Sequence, residues 1–203
     1  MRVGSKKNRV GQKNAMGSFR VIAGEWRSRR LSFPEVDGLR PTTDRVRETL
    51  FNWLSPTISG AYVLDLFSGS GALGFEALSR GAQEATFIEK DLSAYRSLNS
   101  NILELNAGAR TTVIQADALA WLDHYTGSTY DLIFLDPPFR QNLLVPAIEG
   151  LVRAKTLTTG SLIYLEQEKE LGPTLVPDSW QLKKEKVAGQ VAYRLYEVAL
   201  AKE

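Results

Sequence analysis

Short apolar runs alternate with amphipathic stretches between residues 61 and 166, and this alternation predicts strands separated by helices. The runs that read as strands are AYVLDLF (61–67), EATFIE (84–89), RTTVIQ (110–115), YDLIFLD (130–136) and GSLIYLE (160–166). The stretches that read as helices lie at about 72–80, 91–106, 117–124 and 142–152. Strands this apolar are typical of a parallel sheet that helices cover on both faces, so the pattern predicts an α/β fold.

The end of the chain has a different pattern, with two polar-apolar alternating segments that follow each other directly. These are SWQLKKEKVAG (179–189) and QVAYRLYEVAL (190–200). Alternation with a period of two residues is typical of strands that bury one face, so the two segments predict an antiparallel hairpin that closes the sheet.

The region before the main alternation predicts two short strands and a helix. FRVIAG (19–24) and RRLSFP (29–34) read as the strands, and RPTTDRVRETLFNWL (40–54) starts a helix that Thr42 or Thr43 can cap. The apolar stripe of this helix is formed by Val46, Leu50, Trp53 and Leu54. Its other face carries Arg45, Arg47 and Glu48.

These patterns divide the 203-residue chain into three parts. Residues 1–18 are polar and aperiodic, and we expect them to form a disordered arm. Residues 19–55 form an extension of hairpin and helix, and residues 56–203 form the α/β domain.

The net charge of +2 is unevenly distributed along the chain. Residues 1–30 hold nine Lys and Arg and one acid, whereas the remaining residues hold 16 basic and 22 acidic side chains. A basic arm on a mildly acidic body is typical of proteins that bind nucleic acid. A solubilising tail has the same composition, so charge alone leaves both interpretations open.

Composition also excludes several kinds of site. Cysteine is absent, so the chain has no disulfide, no thiolate metal site and no cysteine nucleophile, which suits a cytoplasmic protein. We see no apolar segment typical of a secretory signal and none of the length that spans a membrane. The spacing of histidines and acids predicts no metal site.

GSGALG, residues 69–74, is the first motif that indicates chemistry. It lies between a predicted strand and a predicted helix, where Gly69 allows the tight turn and Gly71 allows a ligand to approach the backbone. Glu89 ends the next strand, 20 residues after Gly69, and a carboxylate there can accept hydrogen bonds from both hydroxyls of a ribose. The motif therefore predicts a cofactor that contains adenosine, either a dinucleotide or S-adenosyl-L-methionine.

Two further acids bear on that choice. Asp65 is expected just under the glycine loop, where it would repel a diphosphate but could bind the ammonium group of S-adenosyl-L-methionine. Asp117, which follows the third strand of the alternation, could accept from the exocyclic amine of an adenine. An ordinary helix N-cap is an equally good explanation of Asp117.

FLDPPF, residues 134–139, ends the fourth strand of the alternation. Because ligands of open α/β sheets bind at the carboxyl ends of strands, Asp136 is expected on the same edge as the glycine loop. The Asp136 carboxylate and the Pro137 carbonyl could accept the N–H bonds of an exocyclic base amine and stabilise its growing charge during methylation. Phe139 could stack on the base once it leaves its own stack.

Five segments together resemble the bacterial 16S rRNA (guanine-N2)-methyltransferase family RsmD, from about residue 19 to residue 198. They are RPTTDRVRETLFNWL, VLDLFSGSGALGFEALSRGA, FIEKD, DPPF and EKVAGQVAYRLY. GSGALG and DPPF occur in many methyltransferases, whereas the first and last segments are more particular to this family. The resemblance implies a seven-stranded class I methyltransferase fold over residues 56–203. It also implies transfer of a methyl group from S-adenosyl-L-methionine to one guanine N2 in the head of the small ribosomal subunit.

The resemblance also assigns residues and a partner. Its cofactor contacts are Asp65, Gly69, Gly71, Glu89 and Asp117, to which we add Phe67 at the entry to the glycine loop. Its catalytic motif gives Asp136, Pro137 and Phe139. For RNA contacts we expect arginines of the N-terminal region: Arg20, Arg27, Arg29, Arg30, Arg40 and Arg45. The partner is 16S rRNA in a partly or fully assembled subunit, and the protein is expected to act as a cytoplasmic monomer without a membrane partner.

Three other functions remain open on the motifs alone. An Asp-Pro-Pro-aromatic turn also serves the N6 amine of adenine, so a DNA adenine methyltransferase would carry the same residues. GSGALG would suit a nicotinamide-dependent oxidoreductase. A non-enzymatic RNA-binding module would need neither Glu89 nor DPPF.

Overall fold

The computed structural model describes residues 16–35 and 42–199. The N-terminal region forms a separate two-stranded antiparallel sheet of β1 (Met16–Arg20) and β2 (Arg30–Pro34), followed by helix α1 (Asp44–Leu54). Thr43 caps α1, because its hydroxyl accepts from the Val46 N–H at 3.4 Å. Arg40 and residues 1–15, which carry part of the predicted RNA-binding charge, lie outside the described residues.

The remaining elements form the α/β domain. Its strands are β3 (Tyr62–Asp65), β4 (Glu84–Glu89), β5 (Thr111–Gln115), β6 (Leu132–Leu135), β7 (Leu162–Glu168), β8 (Trp180–Ala188) and β9 (Val191–Val198). Its helices are α2 (Ala72–Ser79), α3 (Leu92–Leu105), α4 (Ala118–His124) and α5 (Leu144–Arg153). Two short 3₁₀ turns lie at Gly108–Arg110 and Lys169–Leu171. None of the helices in this described part is long and apolar enough to cross a membrane.

The seven strands are ordered β5-β4-β3-β6-β7-β9-β8, with β3 to β7 parallel and the last two strands antiparallel. The predicted α/β fold with a C-terminal antiparallel hairpin is thereby confirmed. The order reverses between β3 and β6, since the chain moves outward from β3 to β5 and then returns to the other side of β3. Such a reversal leaves a crevice at the carboxyl ends of the two central strands.

The N-terminal region differs from its prediction in two ways. β1 begins at Met16, so residues 16–18, which we assigned to the disordered arm, pair with β2. β1 also ends at Arg20, four residues earlier than predicted. The backbone N–H groups of Ile22 and Ala23 donate to the Glu76 carboxylate at 2.7 and 3.1 Å instead of to a partner strand.

Arg47 lies on the face of α1 opposite the predicted apolar stripe, but it is not a surface residue. Its side chain is fully buried, where it donates to the Asp44 carboxylate at 2.6 Å and to the Arg20 carbonyl at 2.9 Å. One guanidinium nitrogen also lies 3.7 Å from the buried Glu76 carboxylate. The periodicity does not report this burial because the β1–β2 sheet covers a helix face that lies outside the apolar stripe.

The N-terminal region and the α/β domain share one apolar core. Phe19, Trp26 and Leu31 pack in the same buried cluster as Leu50 of α1 and Phe75 of α2. A second cluster fills the opposite face of the sheet, between its strands and helices α4 and α5. The extension is therefore fixed on the domain beside the crevice.

Candidate active site

The crevice between β3 and β6 brings the predicted site residues to one edge of the sheet. The glycine loop follows β3, Glu89 ends β4, Asp117 follows β5 and Asp136 follows β6. The Leu66 N–H donates to the Phe134 carbonyl and the Ser68 N–H donates to the Ile88 carbonyl, so the loop is tied to both neighbouring strands. The geometry predicted from the carboxyl-end rule is what the described residues adopt.

The glycines of the loop are required by its backbone and its packing. Gly69 and Gly71 have φ values of 51° and 77°, in the left-handed region that other residues rarely adopt. A Cβ on Gly74 would lie 2.3 Å from the Phe87 ring, so this glycine lets α2 pack closely on β4. Phe67, at the entry to the loop, is half-buried and packs on the second apolar cluster.

Asp65 lies beneath this loop and is almost fully buried. One of its carboxylate oxygens accepts from the Gly74 N–H at 3.1 Å. Burial raises the pKa of Asp65 to about 7, a rise that the Gly74 hydrogen bond opposes and the nearby charges of Asp136 and Glu89 reinforce. The position under the loop is the one predicted for a group that binds a cation.

Glu89 connects β4 to the glycine loop. Its two carboxylate oxygens accept from the Gly69 N–H at 2.7 Å and from the Asp91 N–H at 2.6 Å. Burial raises the pKa of Glu89 above its usual value, although these hydrogen bonds lower it. Since each carboxylate oxygen has two lone pairs, Glu89 retains capacity to accept hydroxyl donors from a ligand.

Asp117 is the N-cap of α4, in agreement with the second of its two predicted roles. One oxygen accepts from the Leu119 and Ala120 N–H groups at 3.1 and 3.2 Å, and the other accepts from the Lys90 ammonium at 3.0 Å. The Lys90 hydrogen bond lowers the pKa of Asp117. An adenine contact for Asp117 stays a prediction, since an N-cap can also contact a ligand.

Asp136 begins the turn after β6, where it is half-buried and accepts from the Thr42 hydroxyl at 3.2 Å. Burial raises the pKa of Asp136 to about 6, and the Thr42 hydrogen bond opposes the rise. Pro137 is buried next to it, whereas the Phe139 side chain is 39% exposed at the crevice edge. The turn thus combines a carboxylate, a backbone carbonyl fixed by proline and an accessible aromatic ring.

Sequence reasoning missed three residues beside Asp136. Thr42 arrives from 94 residues earlier in the chain, and Glu166 and Tyr164 come from β7. The Tyr164 hydroxyl donates to the Glu166 carboxylate at 2.6 Å, and both side chains are buried. A signal for Glu166 was available, because a glutamate within an otherwise apolar strand next to the DPPF strand is unusual.

The acids of this edge make it suited to cations. Asp65, Glu89 and Asp136 all lie there, and the charges of Asp136 and Glu89 help to raise the pKa of Asp65. The negative field opposes a diphosphate and favours a ligand that carries positive charge. No cluster suited to a metal ion occurs among residues 16–35 and 42–199.

Five of the six predicted RNA-binding arginines lie in the described part of the chain. Arg20 and Arg30 line a groove of about 330 Å³ beside the crevice, together with Thr42, Thr43 and Asp44. Arg29 instead pairs with Glu104 of α3 at 3.1 Å, which holds β2 on the domain. Arg27 and Arg45 are exposed outside this groove.

A second cavity, of about 540 Å³, lies at the opposite edge of the sheet, where the parallel strands begin. Its lining includes Trp53, Asp131 and Lys183 and shares no residue with the predicted site. The volume of a cavity therefore does not identify the predicted active site, which lies at the carboxyl ends of the strands.

Comparison with known proteins gives consistent matches. Residues 19–197 match a family model described as "Conserved hypothetical protein 95". The Ribosomal RNA small subunit methyltransferase D of Escherichia coli K12 is 51% identical over 181 residues, which cover 89% of this chain and 90% of that protein. The protein of the same name from Haemophilus influenzae is 46% identical, with coverage of 91% and 96%. A solved structure of a putative methyltransferase from Escherichia coli, 48% identical, superposes with a TM-score of 0.84 over 90% of this chain and 99% of that one.

Proposed function

The chain belongs to the ribosomal RNA small subunit methyltransferase D family, and from this premise we propose that it methylates the exocyclic N2 of one guanine in 16S rRNA. The methyl donor is S-adenosyl-L-methionine, and the substrate is the head of a partly or fully assembled small subunit. The observation that carries the proposal is the position of the Asp136–Pro137 turn beside the glycine loop and Glu89, at the switch point of the sheet. The guanine assignment rests on the family, because the turn would also serve an adenine amine.

The residues of the crevice fit the proposed cofactor. Gly69 and Gly71 keep the loop free of side chains, and Glu89 can accept from ribose hydroxyls while it braces the loop. Asp65 and its acidic neighbours favour the ammonium and sulfonium charges and oppose the diphosphate of a dinucleotide. When bound, S-adenosyl-L-methionine supplies an electrophilic methyl group.

Asp136 and Pro137 act on the amine that receives this group. The lone pair of an exocyclic base amine is delocalised into the ring, so the nitrogen must be positioned and its developing positive charge stabilised. The Asp136 carboxylate and the Pro137 carbonyl can accept its two N–H bonds. The product amine must then lose one proton, which an ionised Asp136 can accept. Phe139 is accessible for stacking on the extruded base.

A methyl-transfer assay on small ribosomal subunits tests this function. Subunits from cells that lack the corresponding enzyme are incubated with labelled S-adenosyl-L-methionine, and the RNA is then digested and analysed by mass spectrometry. We expect N2-methylguanosine at one position of 16S rRNA. Label in N6-methyladenosine, or transfer to DNA but not to subunits, would contradict the proposal.

We expect S-adenosylhomocysteine and S-adenosyl-L-methionine to bind, and NAD to bind at least about tenfold more weakly because of the acids of the crevice. A cation favours ionised Asp65, so binding should release protons below about pH 7 and affinity should rise with pH up to that value. Calorimetry in two buffers of different ionisation enthalpy measures both quantities. Asp65→Asn is the control that should abolish the proton release, and NAD affinity equal to that of S-adenosylhomocysteine would refute the cofactor assignment.

The groove lined by Arg20 and Arg30 supports RNA binding next to the site, since Thr42 both lines it and donates to Asp136. Each phosphate contact steepens the dependence of log affinity on log salt concentration, the salt slope, by about 0.9 on a B-form duplex and by about 0.7 on single strands. We therefore expect Arg20→Ala and Arg30→Ala each to weaken rRNA binding and to flatten the slope by about that amount. Arg153→Ala, at the end of α5, is the matched control and should leave the slope unchanged.

The same measurement, rRNA affinity at several salt concentrations, decides the role of the basic arm. Because β1 begins at Met16, the deletion must end at residue 15, and it removes five positive charges: Arg2, Lys6, Lys7, Arg9 and Lys13. We expect a flatter slope if the arm contacts phosphates, by up to roughly 3–4 units. An unchanged slope would mean that the arm only aids solubility and that the body of the enzyme holds the RNA.

A further inference from the structure

Glu166 is a second carboxylate beside Asp136 for which the proposed mechanism has no use. β6 and β7 are parallel with Leu135 opposite Leu165, so Asp136 and Glu166 are the next opposite pair. Side chains of opposite residues project to the same face of a sheet. This face also carries Phe134 and Tyr164, whose rings meet edge to face at 6.2 Å.

The surroundings of Glu166 fix its position. Its side chain is 4% exposed and accepts from the Tyr164 hydroxyl at 2.6 Å. The Thr42 hydroxyl donates to Asp136 at 3.2 Å, and it is also near enough to Glu166 to lower the pKa of that carboxyl group. The other titratable group that faces the pair is Tyr193, opposite Glu166 on β9, with Asp65 beyond Asp136. Within residues 16–35 and 42–199 neither carboxyl group forms an ion pair.

Two neighbouring buried carboxyl groups repel each other when both are ionised, so ionisation of one raises the pKa of the other. Burial raises the pKa of Asp136 to about 6, so Asp136 loses its proton first. Burial and the resulting charge on Asp136 then raise the pKa of Glu166 well above its usual value, although the hydrogen bonds from Tyr164 and Thr42 oppose the rise. The asymmetry follows from exposure, because Asp136 is half-buried at the crevice whereas Glu166 lies behind it.

We propose that Asp136 and Glu166 share one proton in the working enzyme, that Glu166 holds it, and that Glu166 is thereby a positioning residue for ionised Asp136. A neutral Glu166 has an O–H that can donate to the Thr42 oxygen, while Thr42 donates to Asp136. The chain from Tyr164 through Glu166 and Thr42 then directs every available donor toward the Asp136 carboxylate. The inference rests on the proposed methyl transfer to an amine that Asp136 contacts.

Glu166→Gln tests the assignment, because glutamine keeps a donor and an acceptor but cannot ionise. We expect kcat/KM within about threefold of the wild type, and an acid limb of the pH profile that stays near pH 6. Glu166→Ala, which leaves Tyr164 and Thr42 without their partner, should lower kcat by roughly tenfold or more. Glu170→Gln, an exposed carboxylate of the same region, is the control and should change neither quantity.

An ionised Glu166 would give the opposite results. Glu166→Gln would then remove a negative charge beside Asp136. The pKa of Asp136 would fall, and the acid limb of the pH–activity profile would move to lower pH. A loss of activity in Glu166→Gln as large as that in Asp136→Ala would also overturn the proposal, since it would show that the negative charge of Glu166 is required.

Carbon-13 NMR of the glutamate carboxyl groups gives a measurement that needs no RNA substrate. The Glu166 resonance is identified as the glutamate signal that disappears in Glu166→Gln and in Glu166→Asp. We expect this resonance to keep the chemical shift of a protonated carboxyl group at pH 7. If the wild type methylates small subunits but Glu166 is ionised at pH 7, the shared proton is wrong and the proposed function stands. If the wild type transfers no methyl group to rRNA, the proposed function fails whatever the NMR titration shows.

Discussion

Replacing Asp136 by alanine is expected to lower the rate of methyl transfer by on the order of 10²-fold or more, as does the removal of one preorganised transition-state contact in other enzymes. The variant loses the acceptor for one amine N–H and the negative charge that stabilises the nitrogen as it becomes positive. The loss should fall on kcat, because an interaction that grows in the transition state contributes little to ground-state binding. Single-turnover transfer to small subunits measures the chemical step directly.

Cofactor binding separates this effect from general damage to the site. Asp136 forms none of the hydrogen bonds that brace the glycine loop, which are made by Asp65 and Glu89. Its charge raises the pKa of Asp65, so its removal should leave the affinity for S-adenosylhomocysteine unchanged or slightly improved. Asp123→Ala, an exposed aspartate paired with Arg153, is the matched control and should be fully active. Near-normal turnover in Asp136→Ala would remove this carboxylate from the chemistry.

The strands and the site motifs could be predicted because local sequence determines them. Apolar runs of four to six residues mark the buried strands, and Gly69, Gly71 and Pro137 impose backbone geometry that few other residues permit. The rule that ligands bind at carboxyl ends then places Glu89 and Asp136 on one edge without any knowledge of packing. Whether these residues bind cofactor and base stays a prediction.

Several of the residues that sequence reasoning missed depend on contacts between distant segments. Thr42 reaches Asp136 across 94 residues, and no local pattern reports that approach. Arg47 lies on the helix face opposite the apolar stripe, but the β1–β2 sheet covers it. Glu76 could have been noticed, because every residue of α2 is buried and a glutamate in such a helix requires partners.

Glu76→Ala is expected to destabilise the fold by about 3–5 kcal/mol, because it removes the buried counter-charge of the Arg47 guanidinium and leaves only Asp44, whose side chain is exposed, as its partner. The carboxylate accepts from the Ile22 and Ala23 N–H groups and from Arg80 at 2.7 Å, and it lies 3.7 Å from Arg47. One substitution therefore removes several polar contacts between the N-terminal region and α2, while the Ser79 hydroxyl still accepts from the Trp26 N–H and donates to the Ala23 carbonyl. Urea unfolding gives the free energy of unfolding of each variant. The variants can be compared if this free energy depends on urea concentration with the same slope in each of them.

Glu104→Ala is the matched control, since Glu104 also holds the N-terminal region, through Arg29, but at the surface. Exposed pairs of this kind contribute about 0–1 kcal/mol, so the two glutamates should differ by at least about 2 kcal/mol. Equal effects would show that the buried charge of Glu76 contributes little and that other contacts, such as the apolar packing of Phe19, Trp26 and Leu31, fix the extension. A large effect of Glu76→Ala should also reduce methyl transfer, because the extension carries Thr42 to Asp136 and Arg20 to the groove beside it.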